Sequence, residues 1–371
     1  TAGIAGRVQP PDGNHLEESG GDGGMNFRSY EIKDICKIKS GKRLPKGTDF
    51  SEKPTRHKYI RARDIKNGKI DGSDLGYISE ETQKKIERYI VNTNDIIITI
   101  AGTIGEVALV SKKFDGVNLT ENAVRLTEFS KDVCPEFLAY ILKSPERKEY
   151  MEQVAGGSAQ PKLGIYKIEA IKVDLPDVQI QHKIADILSA YDNLIENNQK
   201  QIKLLEEAAQ RLYKEWFVDL RFPGHENTKI VDGVPEGWRR GLLQELIDVN
   251  YGKDHKKAPD DGNIPVYGSG GLMRKCNKSL FSGEAVLIPR KGSLNNIMYV
   301  DETFWTVDTM FYATMKQPHT AVFVYFFVKA FDMYSMNIGA AVPSMTTKIL
   351  DAMDVVIPDK ETLEKFDKRA K

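Results

Sequence analysis

Lysine and arginine side chains stand beside glycine at two separate places in this chain. Ser40-Gly41-Lys42-Arg43 is one, and Gly252-Lys253 with the following His255-Lys256-Lys257 is the other. A glycine-permitted corner lets backbone amides and ammonium groups reach a phosphate together. Tyr59-Ile60-Arg61-Ala62-Arg63 alternates, which predicts a strand with Arg61 and Arg63 on one face. Arg290-Lys291-Gly292-Ser293 follows an apolar run and predicts a basic strand end. Ser158 and Gln160 lie in the small-residue loop 156–161 and carry groups that can read base edges. Lys46, Thr103, Arg274, Lys275 and Ser344 complete the candidate nucleic-acid contacts. Any one surface lysine is ordinarily just a solvated charge; recurrence at matched places gives these weight.

The sequence carries none of the common catalytic patterns. The chain has no FxGxG cofactor loop, no (N/D)PP(Y/F) loop, no GxxxxGK(S/T) phosphate loop and no GxSxG elbow. Pro11-Asp12 with Glu31-Ile32-Lys33 spells a nuclease pattern in letters only. Cys36, Cys134 and Cys276 have no CxxC spacing, and the six His form no HExxH pair, so no metal site is expected. This pattern predicts a reduced, cytoplasmic binding protein. No run of eighteen apolar residues exists, so no membrane span is expected. The formal net charge is zero, yet Arg28 to Lys69 holds fourteen Lys/Arg against five Asp/Glu. That local excess suits a polyanionic partner.

These residues need elements to position them. From Asp177 the chain runs without Gly or Pro and carries an apolar stripe through Ile184, Leu188, Tyr191, Ile195, Ile202, Leu205, Leu212 and Trp216, broken in mid-helix by the polar Asn197, Asn198 and Gln201. Steps of three and four predict one helix over 177–222. Asp177 is the candidate N-cap and Pro223-Gly224 the stop. At 1.5 Å per residue it is about 60 Å long. Two similar segments flank it. Ile32–Ile35 with Gly41-Lys42 matches Leu243–Leu246 with Gly252-Lys253, and Ile96–Ile100 with Gly102 matches Ala285–Ile288 with Gly292. Short strands Glu106–Val110 and Ile297–Val300 follow, then apolar helices Pro135–Met151 and Thr320–Met336. Small-residue loops 156–161 and 339–344 come next, then closing strands Ile168–Leu175 and Ile349–Ile357. The expected fold class is α+β, each half built round a curved or barrel-like sheet. The Gly-rich, polar residues 1–25 are expected to be a disordered lead or expression remnant. Residues 26–176 and 223–358 are the two domains, 177–222 the spacer helix, and 359–371 the start of a second, cut-short helix.

With these features in place, the sequence resembles the specificity subunits of type I restriction–modification systems. The resemblance lies in Asp95–Gly105 and Glu284–Leu294, in Leu175-Pro176…Gln179…Gln181…Ile184, in the Leu204–Phe217 helix end, and in Gly237-Trp238. It implies two target recognition domains reading halves of a split double-stranded DNA site, with no catalysis in this chain. It implies modification (methyltransferase) subunits using S-adenosylmethionine and a restriction subunit using ATP and Mg as partners. The apolar stripe of the long helix would then be partly a docking surface for the modification subunit. Two alternatives stay open: the recognition part of a fused restriction–methyltransferase enzyme, and a coiled-coil adaptor with no DNA role.

Overall fold

The structure is a computed structural model and describes residues 26–156, 161–336 and 344–371. Between Ile195 and Glu196 the chain divides into two compact units. In unit 1 four strands lie in the order Lys37–Ser40, Ala123–Thr127, Ile96–Thr99, Val107–Leu109, and three more in the order Gly76–Ile78, His57–Ile60, Asn118–Leu119. In unit 2 six strands form one sheet: Ile247–Tyr251, Met310–Met315, Phe281–Pro289, Met298–Thr306, Ile264–Gly268, Gly271–Cys276. Among the described residues these orders run from one outer strand to another, so each sheet is open.

The apolar run Ile96-Ile97-Ile98 is buried on both faces because two cores use it. Ile96 and Ile98 pack with Phe137, Leu138 and Met151 on the helix side, while Ile97 packs with Ala108, Val110 and Leu119 on the other. Period-2 geometry sends alternate side chains to opposite faces. Unit 2 repeats the pattern: Val286 and Ile288 face Val322 and Phe323, while Ala285 and Leu287 face Val266 and Phe304. Ile98 pairs with Val124, which pairs with Ser40; Ile288 pairs with Phe311, which pairs with Tyr251. This register sets Ile98 against Ile288 and hence Asp95 against Ala285. Matching the strand starts Ile96 and Ala285 is therefore one residue out of register, whereas matching Gly102 with Gly292 is in register.

Several element bounds differ from expectation, each for a local reason. Pro135–Met151 is two helices, Pro135–Leu142 and Pro145–Ala155. Pro145 cannot donate to the preceding turn, and the Ser144 hydroxyl accepts from the Arg147 amide to start the second helix. The second apolar helix is Ala321–Lys329 rather than 320–336, and beyond it the Asp332 carboxylate accepts from the Tyr334 amide in a turn. The closing strands are shorter. Helix Ile165–Glu169 precedes strand Lys172–Leu175, and helix Thr347–Asp351 precedes strand Asp354–Ile357. Lys172–Leu175 pairs antiparallel with Arg28–Glu31, and Asp354–Ile357 with Arg239–Leu242.

The long helix is α-helical over Val178–Tyr213 and ends in a π-helical turn, Lys214–Val218. The Asp177 carbonyl accepts from the amides of Ile180 and Gln181. The stop comes before Pro223, where Leu220 takes a left-handed φ of 56°. In unit 1 the fully buried Gln181 side chain accepts from the Cys134 amide and donates to the carbonyls of Asp132 and Pro176. Tyr140 donates to Asp192 one helix segment later. In unit 2 Tyr213, Trp216 and Phe217 enter the core against Phe323 and Phe366. Phe366 belongs to the terminal helix Lys360–Ala370, capped by Asp359. Asp359 also accepts from Trp238 Nε1 at 2.9 Å, next to Gly237 with φ 88°.

Candidate nucleic-acid interface

Both glycine–lysine corners are built by the same hydrogen bonds. The Gly41 amide donates to Ala123 and the Lys42 amide to Leu119; the Gly252 amide donates to Met310 and the Lys253 amide to Thr306. The lysine carbonyls are pinned as well: Tyr59 Oη donates to Lys42 at 2.6 Å and Trp305 Nε1 donates to Lys253 at 3.0 Å. Burial pushes the Tyr59 phenol up to about 12, so it stays a donor. A Cβ at Gly41 would overlap the carbonyl oxygen of Thr120, and one at Gly252 that of Val307. Close backbone approach therefore demands glycine here. The expectation that these amides meet phosphate is overturned, because both are already bonded. What the corner presents outward is the exposed side chain of Lys42 or Lys253.

The strand-end loops are also duplicated. Gly102 and Gly292 both take left-handed φ, 80° and 85°. Ala101 bridges Lys162 as Lys291 bridges Ser344. The Leu163 amide donates to Ile100 at 2.9 Å and the Met345 amide to Arg290 at 2.9 Å. In unit 1 corner and loop flank a cleft of about 570 Å³ lined by Lys42, Arg43, Tyr89, Glu121, Lys162 and Tyr166. The Lys42 ammonium lies 5.6 Å from the Tyr89 ring centre. At the matching place in unit 2 the Arg290 guanidinium lies 5.6 Å from the Tyr251 ring, and its Nη1 donates to the Asp308 carbonyl.

The sequence candidates divide into presented and consumed side chains. Lys46, Arg63, Thr103, Lys256, Lys275, Lys291 and Ser293 are exposed. Arg43 is exposed but paired with Glu121 at 2.6 Å. Burial alone would raise the Glu121 carboxyl, yet the Arg43 and Thr120 bonds hold it below its ordinary value. Arg61 and Arg63 do not share a strand face. The strand ends at Ile60 and a 3-10 turn, Ala62–Asp64, follows. Arg61 is consumed there, its Nε and Nη2 both 2.9 Å from Asp64. Arg274 is likewise internal, donating to the carbonyls of His255 and Ala258 and to Asp260. Ser344 is half-buried in its bridge. Ser158, Gln160 and the Lys257 side chain lie outside the described residues, as do residues 1–25 and most of the loop 339–344. Sequence reasoning missed Lys162 and Tyr166, which no periodic pattern marks; only the bridge to Ala101 brings them to the cleft.

The helix stripe also divides. Trp216 is buried, and Ile184 and Leu212 are half-buried against the cores of their own units. Leu188, Tyr191, Ile195, Ile202 and Leu205 are exposed, together with Ile187, Leu194 and Leu204. No group of three His, Cys, Asp or Glu residues able to hold a metal occurs among the described residues, and none of their helices is long and apolar enough to cross a membrane.

Comparison with known proteins agrees with the duplicated design. A family model described as the type I restriction modification DNA specificity domain matches residues 25–207 and 235–369. The chain is 32% identical over 182 residues to the type I restriction enzyme MjaIX specificity subunit of Methanocaldococcus jannaschii, covering 48% of this chain and 41% of that protein. It is 28% identical over 212 residues to the type I restriction enzyme EcoBI specificity subunit of Escherichia coli, covering 54% of this chain and 43% of that protein. Each match spans less than half of the relative. The fold matches the crystal structure of a type I restriction–modification system S subunit from M. genitalium with a TM-score of 0.64 at 18% identity, over 94% of this chain and 89% of that one.

Proposed function

The chain belongs to the type I restriction–modification DNA specificity family, and from that premise we propose that it reads a two-part duplex DNA site without catalysing a reaction itself. Unit 1 and unit 2 each read one half. Methyl transfer from S-adenosylmethionine belongs to a modification subunit, and ATP- and Mg-dependent cleavage to a restriction subunit, all in the cytoplasm. One observation carries this reading: the same hydrogen bonds build a lysine corner beside a glycine loop in both units, while the side chains around it differ. Constant scaffold with variable presentation is what two independent readers need, since phosphate contacts position and base contacts specify. The exposed middle of the long helix, from Ile187 to Leu205, supports docking of the modification subunit.

A gel shift with pooled random duplexes, with and without a modification subunit, tests this. The chain shifts DNA, and a labelled methyl group is transferred only when the modification subunit is added. Methyl transfer by the chain alone overturns the reading. Leu205→Asp removes co-purification with that subunit while leaving both units folded; retention of the complex refutes docking on the stripe.

A further inference from the structure

Ile60 and Tyr267 occupy one architectural position. Each pairs in parallel with the strand beside its corner, Ile60 with Leu119 and Tyr267 with Thr306. Each carbonyl accepts one amide, from Thr120 and Val307 respectively, both at 3.0 Å. Leu119 and Thr306 are also the residues that hold the Lys42 and Lys253 amides. The chain that leaves this point therefore emerges next to the lysine corner in both units. What it presents there is different.

In unit 1 it enters the Ala62–Asp64 turn, locked by three bonds from Arg61 to Asp64. The locked turn holds out Arg63, whose side chain is 67% exposed. Its nearest acid, Asp74, is 3.4 Å away and 85% exposed, a pairing that water screens and a better partner displaces; the buried Asp64 lies farther, 3.9 Å from its Nε, and is already bonded by Arg61. In unit 2 the chain enters the hairpin turn between the strands Ile264–Gly268 and Gly271–Cys276. Asn296 Nδ2 fixes this turn by donating to the Ser269 carbonyl at 2.9 Å. It abuts Gly292, where an added Cβ would stand 2.7 Å from Ser269 Oγ. Leu272 and Met273 follow at once, 60% and 54% exposed. They are two adjacent apolar side chains in water, joined by the turn to the basic loop Arg290-Lys291 and by Thr306 to Lys253.

On the duplex-reading function proposed above, we infer that the units discriminate bases with opposite chemistry at this shared position. Arg63 presents a guanidinium fork to the two acceptors of a guanine. Leu272 and Met273 present apolar surface to the 5-methyl group of a thymine. Both pairings match what the major groove displays. The cationic rim selects DNA as the occupant of the apolar pair, because Lys253, Arg290 and Lys291 answer phosphates on either side of a base edge.

Binding-site selection from random duplexes with the full chain tests this, comparing wild type, Arg63→Ala, and Leu272→Ser with Met273→Ser. Arg63→Ala relaxes a guanine in one half-site by roughly tenfold and leaves the other half unchanged. The double variant relaxes an A·T pair in the other half only. Replacing that thymine by deoxyuridine, which lacks the methyl group, weakens the wild type by a similar factor and does nothing further to the double variant. If the wild type selects a sequence but the variants select the same one, or deoxyuridine binds as well as thymidine, the inference fails while duplex reading stands. If the wild type enriches no sequence, both fail. The deoxyuridine arm uses unaltered protein, so misfolding of a variant does not enter it.

Discussion

Lys42 and Lys253 are placed by the glycines that precede them. Each lysine has its amide and carbonyl spent on the scaffold, so only the ammonium is left to bind. A point charge without a planar fork suits phosphate and carries no sequence information. Lys42→Ala and Lys253→Ala are therefore expected to weaken all duplexes alike. Each should lower the slope of log affinity against log salt by about one. Anisotropy titrations at several salt concentrations check this, and a changed preferred sequence would contradict it. The sequence displayed these cations and their glycines plainly. It did not display which cations the fold consumes. Arg61 is spent on Asp64, three residues away, and Arg274 on the backbone carbonyls of His255 and Ala258. Backbone acceptors leave no mark in a sequence, so Arg274 read like any surface arginine.

At the scale of elements, what was legible followed from periodicity. The 36-residue helix Val178–Tyr213 and the buried strand Ile96–Thr99 announce themselves by spacing. The short helices Ile165–Glu169 and Thr347–Asp351 do not. Five residues are too few to show a 3.6 period, and their apolar side chains merged with the strands that follow. In the terminal helix Lys360–Ala370, Leu363 and Phe366 lie three residues apart on one face, and both complete the core of unit 2. Asp359 fastens that helix. Burial acts to raise its carboxyl, but bonds from the Thr362 amide and hydroxyl and from Trp238 outweigh it and hold it below the ordinary 3.8. A carboxylate depressed in the folded state stabilises above its unfolded value, and that contribution fades as pH falls below about 4. Acidification should thus loosen this helix before unit 1 unfolds, and Trp238 emission should report it. Asp359→Asn, which cannot ionise, should remove that early phase. An early phase that persists in Asp359→Asn would mean another group controls it.

For the whole chain, the duplication is visible as ordered matches, and the ladders shift the match of Ile96–Ile100 with Ala285–Ile288 by one residue. Duplication leaves the long helix as the one large element without a counterpart of its own length among the described residues. Its first turns are clamped in unit 1 through Gln181 and Asp192, and its last turns are buried in unit 2 through Tyr213 and Trp216. Nothing interrupts it between these anchors, where its side chains are mainly exposed. Four residues inserted after Gln199 add about 6 Å and turn one end by about 40° beyond a full rotation. B-DNA rises about 3.4 Å per base pair. The spacer between the two half-sites should therefore grow by roughly one or two base pairs, with both half-site sequences kept. Sequencing methylated genomic sites in cells that carry the insertion and the other subunits measures this directly. An unchanged spacer would show that the helix does not set the distance. A changed half-site would show that the helix itself touches bases.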